Sequence, residues 1–274
     1  MRPKNRRRKG TRRGPDGFAA AGAGFLASMV AAQVTSGVGA EPVRWINPVV
    51  GALAAAAGCF AASRRGAVRA AGAVATAMAL GHTVERIGVR TGLPFGRYTY
   101  TPVLRPQVGG VPVAVAVAWS GMGLAAHAVA AVLVPDRRPV RRIAVGALAL
   151  TAWDAFLDPQ MLRHDLWRWA RRGTYRGVPA SNFAGWLGVS ALLMAATEAW
   201  VGGPDASEGL VASEGLVATY GLMAAMETLA FAVVFEPADP VVAVTGGAAM
   251  GAFAVPAAVL AVRRRGTGTD TARP

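Results

Sequence analysis

In the run TAWDAFLDPQM, Thr151 to Met161, two aspartates stand four positions apart. On a helix that spacing puts Asp154 and Asp158 on one face, one turn apart. Two like charges in a poorly hydrated site cannot both ionise cheaply, so such a pair divides into an acid and a base. The competing reading is structural, with both aspartates paired to arginines of the neighbouring basic loops. His82, Glu85, His127, Glu198 and Glu227 also interrupt apolar stretches. An ionisable group inside a bilayer is costly, so each marks function unless it is paired. Pro159, next to Asp158, is expected to kink or end its helix and free carbonyls toward a polar pocket.

Several chemistries lack their residues. The chain has three histidines and no histidine boxes, no HExxH and no ExxH pair;. His82 and Glu85 in HTVE stand in the reverse order without further partners, so no metal site is expected. Neither a phosphate loop nor a dinucleotide fingerprint occurs in a strand-to-helix context. Cys59 is the single cysteine, which leaves no intrachain disulfide and no thiolate metal site;. Neither a metal-dependent oxygenase nor a nucleotide-driven enzyme is therefore expected, and acid–base work by carboxylates is.

The elements that must position these groups are apolar spans. The 274 residues are 53% hydrophobic and 16% charged, which indicates a membrane class;. Runs of spanning length lie near residues 18–40, 45–62, 70–87, 111–134, 143–162, 180–201, 215–235 and 241–262;. The expected fold is all-α, a polytopic transmembrane helix bundle of about eight helices, or seven if the third run, bounded by Arg69 and Glu85, does not cross. Continuous rather than alternating apolar runs argue against a barrel, and abundant Ala and Gly argue for close helix packing. MRPKNRRRKGTRR carries eight Lys or Arg and reads as a cytoplasmic topology anchor rather than a nucleic-acid arm;. The expected organisation is a basic cytoplasmic arm at 1–17, one membrane domain at 18–262 and a cytoplasmic tail at 263–274, in a multi-pass protein of the cell membrane. The duplicated SEGLVASEGLVA, residues 207–218, receives no role.

Alternating crossings bring the end of the third span at Glu85, the Asp158 end of the fifth and the Ser181–Asn182 start of the sixth to one face. Residues 86–110 and 163–179 belong to that face too, and their arginines break the positive-inside pattern. The stretch GVRTGLPFGRYTY, Gly88 to Tyr100, is expected to form a tight or re-entrant wall there, with Arg90 and Arg97 meeting carboxylates or lipid phosphates;.

The run HTVERIGVRTGLPFGRYTYTPVLRPQVGGVPVAVAVAW, followed by TAWDAFLDPQM and GTYRGVPASNFAGW, resembles the membrane carotenoid biosynthesis family that contains bisanhydrobacterioruberin hydratase and carotenoid 1,2-hydratases. The resemblance covers roughly residues 80 to 190. It implies cofactor-free addition of water across the terminal double bond of an acyclic carotenoid end group, giving a tertiary alcohol. Protonating such an alkene makes a tertiary carbocation, which needs a proton donor, a positioned water and aromatic faces. On this reading Asp154 or Asp158 supplies the proton, and Glu85 or the other aspartate handles the water. Tyr98, Tyr100, Trp153 and Trp167 are candidates for an aromatic wall around the substrate, and Asn182 for a water ligand. Met122, Met194, Met223 and Met226 are candidates for the substrate's path. The partners implied are the acyclic carotenoid, the bilayer and other membrane enzymes of the same pathway, with no nucleic acid. Two alternatives share these features: an acid-initiated cyclase of carotenoid end groups, and a non-catalytic carrier or partner of carotenoid enzymes.

Overall fold

The computed structural model describes residues 17–135, 138–202 and 210–270, with side chains given outside 210–213 and 264–270. The basic arm, Arg137, the first half of the SEGLVA duplication and the side chains of Arg264 and Arg265 lie outside these described residues.

Eight helices form the bundle: α1 (Gly17–Val38), α2 (Ile46–Arg65), α3 (Ala67–Thr91), α4 (Val113–Leu133), α5 (Pro139–Arg163), α6 (Ala180–Val201), α7 (Leu210–Leu229) and α8 (Pro240–Asp270). A π-helical turn, Ala230–Val234, extends α7. Six helical segments are long and apolar enough to cross a bilayer;. The other two helices, α3 and α5, are each 25 residues long and carry His82 with Glu85 and Asp154 with Asp158. This is an all-α, multi-pass membrane protein, and the third span is present as a full helix.

Helix α4 is the axis of the bundle. Every residue from Ala118 to Val132 is buried, and α4 packs against α2, α3, α5, α6, α7 and α8. Its sequence, AWSGMGLAAHAVAAV, is mostly small, which lets neighbouring backbones approach;. The outer faces instead carry exposed Val and Leu, among them Val68, Leu192 and Val244, as lipid-facing helices require;.

Odd-numbered helices finish and even-numbered helices begin at one end of this bundle. Two connections there, 92–112 and 164–179, form an antiparallel ribbon. Strand β1 (Tyr98–Tyr100) pairs with β4 (Trp167–Trp169), with Tyr98 opposite Trp169 and Tyr100 opposite Trp167. A second short pair joins β2 (Gln107–Val108) to β3 (Val111–Pro112). Side chains alternate along a strand, so Tyr98, Tyr100, Trp167 and Trp169 share the inner face while Thr99 and Arg168 point out.

The stretch after Gly88 therefore differs from the expected re-entrant wall. It is the last turn of α3, then a turn, then a strand. Gly92 stops the helix in a left-handed conformation at φ +80°, with its N–H bonded to the Gly88 carbonyl;.

Pro159 does not end its helix, since α5 continues through it to Arg163, but it does free a carbonyl as expected. Proline removes the hydrogen bond to the carbonyl four residues back. That carbonyl, Ala155 O, accepts a hydrogen bond of 2.8 Å from the Tyr175 hydroxyl. The loop thus supplies the donor that the helix lacks.

Candidate active site

Beneath the ribbon lies a cavity of about 360 Å³ whose walls come from α1 to α7 and the two strands. Its surface is mostly apolar and aromatic, with Glu85, Asp158 and Asn182 among its polar lining. This is the composition of a site for an apolar ligand with a few orienting groups.

Glu85 is buried on α3 and held from three sides. Tyr98 Oη and Tyr100 Oη both donate to Glu85 Oε2, the latter at 2.7 Å, and Trp119 Nε1 donates to Oε1 at 3.3 Å. Burial, followed by the nearby Glu85 charge, pushes both phenols well above their ordinary range, so both remain donors. Three donors on one carboxylate fix its orientation. The ribbon's strand period produces this geometry, since residues two apart point to the same side.

Close approach at two glycines makes the arrangement compact. A Cβ on Gly81 would stand 2.8 Å from the Trp119 ring, and one on Gly88 would stand 2.7 Å from Tyr98 Oη. Helix α3 therefore presents bare backbone where the two Glu85 donors lie against it.

Asp154 and Asp158 face α6, as their i,i+4 spacing requires, and are 0% and 2% exposed. The side-chain amide of Asn182 bridges them, donating to Asp154 Oδ2 at 2.6 Å and to Asp158 Oδ2. No ion pair reaches either aspartate among the described residues. The arginine-paired reading of the two aspartates is thus replaced by a shared amide. Asn182, expected as a water ligand, has its N–H groups committed to the carboxylates. Asp158 lines the cavity, whereas Asp154 stands behind it with Oδ1 lacking a hydrogen-bond partner.

Aromatic rings complete the walls. Trp119 and Trp186 stack at 4.1 Å, and Trp153 meets Trp186 edge-on at 6.2 Å. Tyr98 and Trp169 stand 5.2 Å apart, and Tyr100 and Trp167 stand 5.6 Å apart. Tyr98, Tyr100, Trp153 and Trp167 all line the cavity as the sequence suggested. Trp119 and Trp186 were not singled out, because a tryptophan within an apolar run has no signal to distinguish a site from a core. Arg90 and Arg97 are exposed, and Glu85 takes its hydrogen bonds from Tyr98, Tyr100 and Trp119 instead. Of the four methionines, Met223 and Met226 reach the cavity, while Met122 and Met194 are core residues.

His127, Arg142 and Glu198 form a separate cluster toward the opposite end of the bundle, while Glu227 lines the cavity. Glu198 Oε2 lies 2.7 Å from His127 Nε2 and accepts from Arg142 Nε at 3.1 Å, while Oε1 accepts from Arg142 Nη2. These partners satisfy Glu198 internally, which is the structural alternative for buried charge. His82 is half-buried, and among the described residues no three His, Cys, Asp or Glu are arranged to hold a metal ion.

Comparison with known proteins agrees with this architecture. Residues 44–257, most of the chain and all of the site except the part of its wall from α1, match the family described as carotenoid biosynthesis protein. The chain belongs to that family. It is also similar to bisanhydrobacterioruberin hydratase of Haloarcula japonica, at 34% identity over 124 residues. That match spans 43% of this chain and 42% of the relative, so the chain covers less than half of that protein's length. No solved structure matches. Within this carotenoid biosynthesis protein, the matched region includes the spans that carry Glu85, Asp154, Asp158 and Asn182.

Proposed function

We propose that the protein hydrates the terminal double bond of an acyclic carotenoid end group, giving a tertiary alcohol without a cofactor. The observation that carries this reading is the pairing, at one aromatic cavity, of a carboxylate held by three donors with an amide-bridged aspartate pair. The family and the hydratase relative supply the substrate class.

Two anions bridged by one amide in a dry wall repel, and one proton between Asp154 and Asp158 removes that repulsion. Asp158, which lines the cavity, gives this proton to the less substituted alkene carbon. The π pair forms the new C–H bond and leaves a tertiary cation. Glu85 stabilises that charge as a fixed anion, and the faces of Trp119, Trp186 and Tyr98 do so through their quadrupoles. Water then forms the C–O bond and loses a proton to a carboxylate of the same set, which restores the starting protonation. The three carboxylates act as one coupled group.

A cavity of about 360 Å³ takes the end of a long polyene rather than its whole length. The remainder of the chain lies along the helices in lipid.

Purified protein in liposomes with an acyclic carotenoid, and no second enzyme, tests the reading. A product heavier by one water, lost in folded Asp158→Asn and Asp154→Asn proteins, is the expected result. A product of unchanged mass would assign cyclisation instead. Turnover that requires a second subunit would make the chain a partner rather than the enzyme. Full hydration by both variants would remove the aspartates from the mechanism.

A further inference from the structure

Glu227 on α7 takes no part in the chemistry above, yet it lines the same cavity and is 6% exposed. Its Oε2 has no hydrogen-bond partner. Gln33 on α1 lines the cavity as well, and its Oε1 is likewise unpartnered. The two residues belong to one wall: Gln33 Nε2 contacts Met223 Sδ at 3.4 Å, and Met223 stands one helical turn before Glu227. A polyene has no donor to offer these oxygens, and leaving two polar groups bare in an apolar passage is costly.

Their place in the passage narrows the ligand. Val34, Val38 and Leu229 line the cavity and are also exposed, Val38 at 80%. They mark a mouth between the end of α1 and the π-helical turn after α7, where Gly37 lets Val234 approach closely. At a rise of 1.5 Å per residue, Gln33 sits about 7 Å inside Val38. Just beyond α1, the exposed Glu41 and Arg44 place this mouth at an aqueous boundary. Two unpartnered oxygens within about a helical turn of each other on one wall suit a small polar molecule, and water is at hand there;.

We infer that Gln33 and Glu227 form a water-binding station just inside the lateral mouth, separate from the Asp154–Asn182–Asp158 bridge, which supplies the second reactant. The role in supply rests on the hydration reading, whereas the water site itself is testable without turnover. Water held beside the passage reaches the end-group cation without crossing the aromatic wall. Glu227 acts here as a positioning residue for water, while the proton for the alkene comes from the aspartates.

Two measurements test this. Infrared difference spectra of proteoliposome films, dry against hydrated, are expected to show a side-chain carbonyl band that shifts with water and disappears in Glu227→Gln. Absence of such a band overturns the water site, as does a band that responds only to an alcohol-bearing carotenoid. In deuterium oxide, protonation followed by loss of a proton returns deuterium to the recovered alkene. Gln33→Leu and Glu227→Leu are expected to raise the ratio of deuterated alkene to hydrated product about tenfold, the effect of one lost hydrogen bond on water capture. An unchanged ratio, or an equal fall in both products, overturns the supply role. If the wild type neither hydrates nor exchanges deuterium, the hydration reading fails, and the infrared band still decides whether water binds. Glu227→Gln is nearly isosteric and provides the folded control for the leucine variants.

Discussion

Replacing Asn182 with leucine of similar volume removes both donors from the aspartate bridge while leaving α6 helical. Each carboxylate loses one hydrogen bond, at 2.6 Å on Asp154 and shorter on Asp158. A bond to a charged group contributes about 1.5–3 kcal/mol and a neutral one about 0.5–1.5 kcal/mol. With one proton shared between the aspartates, one bond is of each kind, which gives about 2–4.5 kcal/mol. If the reaction depends on holding that proton at Asp158, the loss falls on the transition state. The expected fall in kcat is then roughly 30-fold to 2000-fold. KM for the carotenoid stays close to wild type, because the aromatic walls that bind the polyene are untouched. The assay is product formation in liposomes at several substrate loadings, with thermal unfolding measured alongside. A folded Asn182→Leu protein that turns over within a factor of three of wild type would refute the role of the bridge. A change confined to KM would do the same.

Four other outcomes follow from particular contacts. Tyr98→Phe with Tyr100→Phe removes two of the three donors on Glu85, and hydration is expected to fall about 100-fold for a loss of ~3 kcal/mol, read as kcat in the same assay;. Gly81→Val pushes against the Trp119 ring, where even a Cβ stands at 2.8 Å, and is expected to destabilise the fold by about 1–3 kcal/mol while displacing a Glu85 donor; thermal unfolding and turnover are both predicted to drop;. Arg142→Met leaves Glu198 with His127 alone and is expected to cost about 3–5 kcal/mol of stability, with KM unchanged in the fraction that folds;. Tyr175→Phe orphans the Ala155 carbonyl above Pro159 and is expected to cost about 1–3 kcal/mol, seen as a lower unfolding temperature and faster amide exchange in the second half of α5;.

The eight helices, six of them apolar enough to cross a bilayer, were readable because lipid forces long, continuous apolar helices;. The same constraint exposed the site, since Glu85, Asp154, Asp158 and Asn182 stand out against Ala, Gly and Val. What the sequence did not yield depends on geometry between segments. YTY and WRW each alternate in the manner of a strand, but three residues are too few to announce a ribbon, and their pairing spans nearly 70 positions;. Pro159 has a helix-breaking signature, yet a tyrosine 16 residues later supplies the missing donor. Arg90 and Arg97 sit near Glu85 in the chain but project outward, because the phenols reach the carboxylate first. Trp119 and Trp186 close two of the motifs that carry the resemblance, but as apolar residues within apolar helices they do not stand out from the core.

The two buried charge clusters explain why only one end of the bundle is assigned chemistry. Around Glu198, a guanidinium and an imidazole occupy both carboxylate oxygens, so little would be gained by bringing in a substrate. Around the cavity the balance is different. Glu85 is held by neutral donors that orient its charge without cancelling it, and no cation pairs with the aspartates. Asp154 Oδ1, Glu227 Oε2 and Gln33 Oε1 remain without partners. On the proposed hydration, carboxylates and spare acceptors around an apolar cavity make a place where a positive charge is stabilised once it forms. An apolar alkene brings no such charge until it is protonated. On that reading the site favours the transition state over the ground state, which is the condition for catalysis rather than storage. A carrier of the same hydrocarbon would bind it better with the three carboxylates replaced by leucine. That replacement supplies a test: if Glu85→Leu, Asp154→Leu and Asp158→Leu together raise carotenoid affinity and abolish turnover, the charges serve the reaction, and if affinity falls instead, they serve binding.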